Sequence, residues 1–339
     1  MKKKQAAGII LAAVVFVIAG FIGIYADKAL ESKQDTSESN INSSAGSVLK
    51  SVLGSPDDKI KLPDTPYVGR LDIVGEIGPS SGFVSPGNYD HSLYMDFVDK
   101  MENSADNKGI FLYVNSPGGT VYESDELYLK LKEYKEKTGR PIYAYFAGTA
   151  ASGAYYISMA ADKIYCNRNC MTGSIGVIMS MLNMEELYKK LGIREIDITS
   201  GPNKSMGSAG KPLTDEQRRI LQSNVDEAYE QFTDIVADGR NMDINTVKKL
   251  ADGRIYSAKQ AMDKGLVDEI ASEEDGLRSI MKDFGIGSDG FYSPGSELDE
   301  VLGFLNSRAE DLKPKSKYDA LMELIEKSNN GELMYYAGK

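Results

Sequence analysis

Between Tyr67 and Ile270 short apolar runs alternate with longer amphipathic segments, and that alternation leaves few folds open. YVGRLDIVGEI, GIFLYVN and PIYAYF have the length and composition of strands, the last two bounded by turn residues as buried strands are. SLYMDFVDKMENS and SDELYLKLKEYKEKTG read as helices, the second with Ser124 as its expected cap and Gly139 as its stop. DKIYCN, GSIGVIM and REIDIT read as further strands and MEELYKKLG as a helix. A long helix over 213–240 opens on a Thr214-x-x-Gln217 capping box. INTVKKLADG and SAKQAMDKG are short helices, followed by LVDEI. Strands joined by crossover helices predict an α/β fold. No internal repeat is visible. One domain is expected over 66–284. A Gly/Ser-rich loop over 285–295, two helical stretches and a tail then fill 285–339.

The N-terminus is of another kind. Residues 1–5, MKKKQ, precede an uncharged apolar run over 6–26. That is about 21 residues, enough to cross a hydrocarbon core of roughly 30 Å as a helix. Tyr25 and Ala26 follow Ile24, which is not the small residue a signal-peptidase site wants, so an uncleaved anchor is expected. Its lysines place the N-terminus in the cytoplasm and the rest of the chain outside, at the cell membrane. Residues 27–65 are polar and Ser-rich and read as a tether. The net charge of −11 argues against nucleic acid as a partner. Cys166 and Cys170 lie in YCNRNC. With one distant histidine they are too few for a structural zinc site; they are either a disulfide pair or two ordinary buried thiols.

Chemistry points first to GTAASGAYY, residues 148–156. Ser152 sits among small residues at a strand-to-helix junction, where helix N–H groups can hold a developing oxyanion. It is either a nucleophile or a cap of the helix it opens. NSPGGTV, residues 115–121, follows a buried strand, and its paired glycines either expose N–H groups for an oxyanion or make a plain turn. A serine needs a base. The one histidine, His91, is expected on a solvated helix face. Lysine is the remaining option, provided burial or neighbours bring it towards neutrality. Lys204 and Lys211 stand apart from the other lysines, in a Gly/Ser/Pro-rich stretch, TSGPNKSMGSAGKPLT, that either folds inward or is a surface loop.

YVNSPGG, YFAGTAASGAYYISMAADKI, TGSIGVI, SGPNKSMG and GRIYSAKQAMDKGLVD, in this order, resemble the signal peptide peptidases of the SppA type over about Tyr67 to Ile270. These are membrane-anchored Ser–Lys proteases, and the match is to the single-length Gram-positive form. The resemblance implies a ClpP/crotonase-type fold of repeated ββα units. It implies Ser152 as nucleophile and Lys204 as general base. It further implies the Gly119 and Gly153 N–H groups as oxyanion donors, and Ser174 as the residue that orients the lysine. It implies hydrolysis of leftover signal peptides and other small apolar peptides, with no cofactor and no metal. A ring-like homo-oligomer is implied too, an octamer, with Ser and Lys drawn from neighbouring subunits.

Three other readings compete with this one, of which an acyl-CoA hydratase on the crotonase fold is disfavoured by a location outside the cytoplasm, where CoA is scarce. A Ser–Lys membrane protease of the kind partnered by stomatins shares the fold and cuts a dedicated partner. A non-catalytic peptide-binding scaffold would keep the fold without the chemistry. The residues LMYYA at 333–337 mix apolar and small residues as a substrate does and could dock in the protein's own active sites; a frayed or surface-packed end is the simpler expectation.

Overall fold

The computed structural model describes residues 60–80, 89–288, 290–294 and 333–336. The apolar run over 6–26 and the tether up to residue 59 lie outside these. Among the described residues no helix is long and apolar enough to cross a membrane.

Three long strands form the centre of a ten-stranded sheet: β1 (Tyr67–Ile77), β2 (Asn107–Thr120) and β3 (Ile142–Ala151). They run parallel, because the helices α1 (His91–Glu102) and α2 (Val121–Thr138) carry the chain back between them. A short helix, α3 (Gly153–Ser158), leads from β3 to β4 (Lys163–Cys166), which is again parallel to β3. Further parallel strands extend both sides: β8 (Glu269–Ile270) beyond β4, and β9 (Phe291–Tyr292) beyond β1. Strand–helix alternation thus gives the α/β sheet it predicts.

Both faces of the sheet are covered, so its central strands are apolar on both. Along β2, Ile110, Leu112 and Val114 enter the main core with α1, α2 and α3, while Phe111 enters a second cluster on the other face. That second face is covered by α8 (Glu273–Phe284), through Leu277, Ile280 and Phe284. The core also takes in Ile60, ahead of β1.

Several elements depart from their expected form. β2 continues through NSPGG to Thr120, and α2 therefore starts at Val121 with Thr120, not Ser124, at its cap position. Ser124 lies inside the helix and donates to the Thr120 carbonyl at 2.7 Å. GSIGVIM is not one strand: only its Gly173 belongs to β5 (Met171–Gly173), residues 174–177 are outside any strand, and Ile178–Met179 form β6. REIDIT follows α4 (Glu185–Lys190) but pairs with no strand; Ile196 and Ile198 are 83% and 99% exposed. The long helix α5 (Asp215–Arg240) has its Thr214–Gln217 capping box in place. After α6 (Ile244–Leu250), strand β7 (Ile255–Ser257) pairs antiparallel with β5, and α7 (Ala258–Asp263) comes next. The tail is a strand, β10 (Leu333–Tyr336), antiparallel to both β2 and β6.

Candidate active site

β2 and β3 end side by side, and the segments at their C-terminal ends build the site. Pairing of β2 with β3 shifts register between Val114 and Ser116, and that of β1 with β2 between Val74 and Glu76. Side chains hold the resulting kink. Asn115 Oδ1 accepts from the Thr149 N–H at 3.1 Å, and Ser116 Oγ accepts from the Gly118 N–H at 3.1 Å. Gly118 then takes φ +105°, a left-handed conformation that glycine adopts without steric cost. A Cβ there would lie 2.3 Å from the Tyr335 carbonyl and 2.9 Å from Ser152 Cβ. Gly119 is needed for closeness: a Cβ on it would lie 1.8 Å from the Ile77 carbonyl oxygen. The glycines of NSPGG are therefore there to let three backbones and the Ser152 side chain meet.

Ser152 lies at the end of β3 with φ 55° and ψ −120°, a strained backbone for a residue with a Cβ. Its N–H donates to the Gly173 carbonyl at 2.8 Å, which ties it to β5. β5 is itself fixed to β3, since Thr172 Oγ1 donates to the Ala150 carbonyl at 2.6 Å. Although Ser152 occupies the N-cap position of α3, its side chain makes no capping bond. Its Oγ is buried and has no hydrogen-bond partner among the described residues. The capping reading of Ser152 is thus excluded. A buried hydroxyl without a partner carries a desolvation cost, and such atoms call for an explanation.

Gly153 opens α3, with its N–H in the first turn, where no carbonyl within the helix is in reach. A Cβ on Gly153 would lie 3.2 Å from the Gly119 nitrogen, so the two backbones approach closely beside Ser152. Ser174 follows Gly173 directly. It too has a strained backbone, φ 49°, and donates its N–H to the Arg254 carbonyl at 2.8 Å. Ser174 lines a cavity of about 380 Å³ with Gly176, Val177, Tyr229 and Asp252. Ser152, Gly119 and Gly153 are therefore brought together, and Ser174 lies one residue beyond the Gly173 carbonyl that holds the Ser152 N–H.

Lys204 is not brought to them within this chain. It is exposed and forms no ion pair or hydrogen bond through its side chain among the described residues. Lys211, the other candidate, is engaged: its Nζ lies 2.6 Å from Asp197 Oδ2, and that carboxylate holds the ammonium above the usual lysine range. His91 is not on a solvated face. It is buried at the start of α1, with Nδ1 2.7 Å from the Tyr89 hydroxyl and Nε2 3.0 Å from Glu126 Oε2. Among the described residues no group of three or more His, Cys, Asp and Glu side chains could hold a metal ion.

The tail is neither frayed nor packed on the outer surface: it is seated in the site. Tyr335 pairs with Gly119 and Tyr336 with Gly118. The Tyr335 ring is buried between Tyr156 and Phe232, and its hydroxyl donates to the Ala228 carbonyl at 3.1 Å. Tyr156, one helical turn after Ser152, is held by Asp125 and Gln231. Burial pushes both phenols up from their ordinary range, so the stack is uncharged.

Residues 134–287 match the model of peptidase family S49. The chain is 44% identical over 211 residues to a putative signal peptide peptidase SppA of Enterococcus faecium, covering 62% of this chain and 61% of that one. It is 38% identical over 239 residues to a putative protease of Methanocaldococcus jannaschii, covering 69% of this chain and 76% of the other. A solved ClpP1 mutant from Listeria monocytogenes aligns with a TM-score of 0.39 and 19% identity, over 68% of this chain and 99% of that one.

Proposed function

The chain belongs to peptidase family S49, serine peptidases of the SppA type, and from that premise we propose that Ser152 is its nucleophile and Lys204 of a neighbouring copy the base. The buried, uncapped, partnerless Ser152 hydroxyl carries this reading. A base supplied by another copy accounts for a hydroxyl that lacks a partner among the described residues. The exposed apolar side chains around Lys204 in sequence favour such a contact: Leu187, Leu191, Ile193, Ile196 and Ile198 are all exposed, a patch that association would cover. Ser174, at the edge of the adjoining cavity, orients the incoming lysine.

The reaction is acyl transfer. Lys204 takes the Ser152 proton and Oγ attacks the peptide carbonyl. In this reading the oxyanion lies between the Gly119 and Gly153 N–H groups, since fixed backbone donors stabilise charge as it develops. Collapse of the tetrahedral intermediate passes the proton to the leaving amine. Water, deprotonated by the same lysine, then frees the acyl group. β10 illustrates how a substrate can bind: an extended segment adds to the edge of β2 through its backbone, and side-chain pockets select it. Residual signal peptides fit this mode, and an anchor over 6–26 would hold the peptidase at the membrane, its domain outside, where such peptides are left. A closed ring, eightfold in this reading, supplies every Ser152 with a lysine.

Fluorophosphonate labelling of the full-length protein in detergent tests the dyad. An adduct is expected on Ser152 in the wild type, none in Ser152→Ala and little in Lys204→Ala. Mixing these two inactive variants before assembly should recover about a quarter of the wild-type rate if each site draws on two copies. No adduct in an assembled wild-type sample would leave a peptide-binding scaffold.

A further inference from the structure

Cys166 and Cys170 are used by none of this chemistry, yet they are placed side by side. β4 and β5 lie along the same edge of β3: Tyr143–Phe146 pair with Lys163–Cys166, and Thr149–Ala151 with Met171–Gly173. Cys166 ends β4 and Cys170 immediately precedes β5. The three residues between them form a tight turn. The Cys170 N–H donates to the Asn167 carbonyl at 2.9 Å, and Asn167 Oδ1 accepts from the Asn169 N–H at 2.9 Å. Arg168 and Asn169 are exposed, whereas both cysteines are buried. Each thiol donates to the carbonyl of the residue after it, Cys166 Sγ to Asn167 at 3.3 Å and Cys170 Sγ to Met171 at 3.4 Å; the neighbouring thiols favour the Cys166 thiolate and push the Cys170 thiol up.

We propose that Cys166 and Cys170 form a redox site that reacts with disulfide oxidants and closes to an intramolecular disulfide, pinning β5 beside the nucleophile. The Cys166 thiolate attacks one sulfur of an oxidant RSSR. The S–S bond of the oxidant breaks, and the first RS⁻ leaves with a proton. The Cys170 thiolate then attacks Cys166 Sγ, the mixed disulfide breaks, and a second RSH leaves. The two cysteine protons end on the two RSH molecules, and two electrons pass to the oxidant. Entry is by opening of the Asn167–Asn169 turn. The bond would join the end of β4 to the start of β5. Since the Gly173 carbonyl of β5 holds the Ser152 N–H, the bridge supports the strained nucleophile backbone.

Full-length protein, first reduced with dithiothreitol and cleared of it, is incubated with oxidised glutathione, alkylated, digested and mapped by mass spectrometry. A Cys166–Cys170 cross-link within one chain is expected, reversible with dithiothreitol. The oxidised protein should melt several degrees above the reduced one, and a Cys166→Ser/Cys170→Ser variant should melt alike in both conditions. Two thiols that still alkylate after oxidation, a glutathione adduct that never resolves, or bonds between chains would overturn the site. A cross-link without a change in melting temperature would overturn its pinning of β5.

Discussion

The ring of Tyr335 stacks on that of Tyr156 with centroids 4.8 Å apart and planes 26° from parallel, which sets β10 against the residue one helical turn after Ser152. Phe232 closes the pocket from α5, 4.6 Å from the Tyr335 centroid. A substrate strand that pairs with Gly118 and Gly119 has to displace β10 first. Removing residues 332–339 should therefore raise the rate on a short peptide by about three- to tenfold, the reciprocal of the fraction of sites the tail leaves open. Tyr335 is also a core residue, so the rate is to be read well below the melting temperature of the shortened chain. A synthetic LMYYAGK peptide should inhibit the shortened enzyme competitively. An unchanged rate would mean that β10 is not in competition with substrate.

His91 sets a second expectation. Its ring joins Tyr89 to Glu126, tying the chain ahead of α1 to α2. Both ring nitrogens are committed to these two partners, and the ring serves the fold. His91→Gln should cost roughly 1–3 kcal/mol of stability, since Tyr89 is left short of its partner. Peptidase rate at 25 °C should stay within about twofold of wild type. Loss of burst kinetics in this variant would return histidine to the mechanism and displace lysine.

A third concerns the framework behind the site. Arg240, at the end of α5, donates to Asp268 through two nitrogens, at 2.6 and 3.1 Å, and to the Gly265 carbonyl at 2.9 Å. Asp268 also accepts from the Ile164 N–H at 2.7 Å. Asp268→Ala leaves the Arg240 side chain, only 8% exposed, without its counter-charge. A loss of about 3–5 kcal/mol is expected, far above a surface pair. Denaturant midpoints checked against Asp268→Asn, which keeps an oxygen acceptor, should rank wild type, Asn, then Ala.

How much of this is legible in the sequence depends on where the deciding partner lies. YVGRLDIVGEI reads as β1 because both faces of that segment are apolar where the sheet needs them. Thr214 and Gln217 mark the start of α5 because a capping box is a local device. Ser152 and the NSPGG glycines stand out because close backbone approach demands small residues, and that demand is written locally. REIDIT misleads for the opposite reason: its alternation is that of a strand, but among the described residues no strand pairs with it, and Ile196 and Ile198 are exposed. α8 escapes a sequence reading although Leu277, Ile280 and Phe284 carry a helical spacing, because the segment is otherwise rich in charge. β10 is invisible to composition, because its partner strands lie more than a hundred residues away and four residues hold little periodicity. Lys204 is reached by resemblance; the structure adds that Lys211 is already paired with Asp197.

Gly153 allows the fold and the chemistry to be separated in one experiment. A Cβ at this position would lie 2.4 Å from Ser124 Oγ and 3.2 Å from the Gly119 nitrogen. The first contact is steric and removable. Gly153→Ala should lower stability by about 1–3 kcal/mol through overpacking. Adding Ser124→Ala removes the closest atom, at the cost of its bond to the Thr120 carbonyl, and stability should partly return in a double-mutant cycle. The second contact stays. The new methyl group still stands against the Gly119 N–H, where the oxyanion is to be held. Activity in the double variant should therefore remain depressed by about 10²–10³-fold, the loss expected when one oxyanion donor is withdrawn. Stability and activity that recover together would show that Gly153 is there for packing, and would move the second oxyanion donor elsewhere.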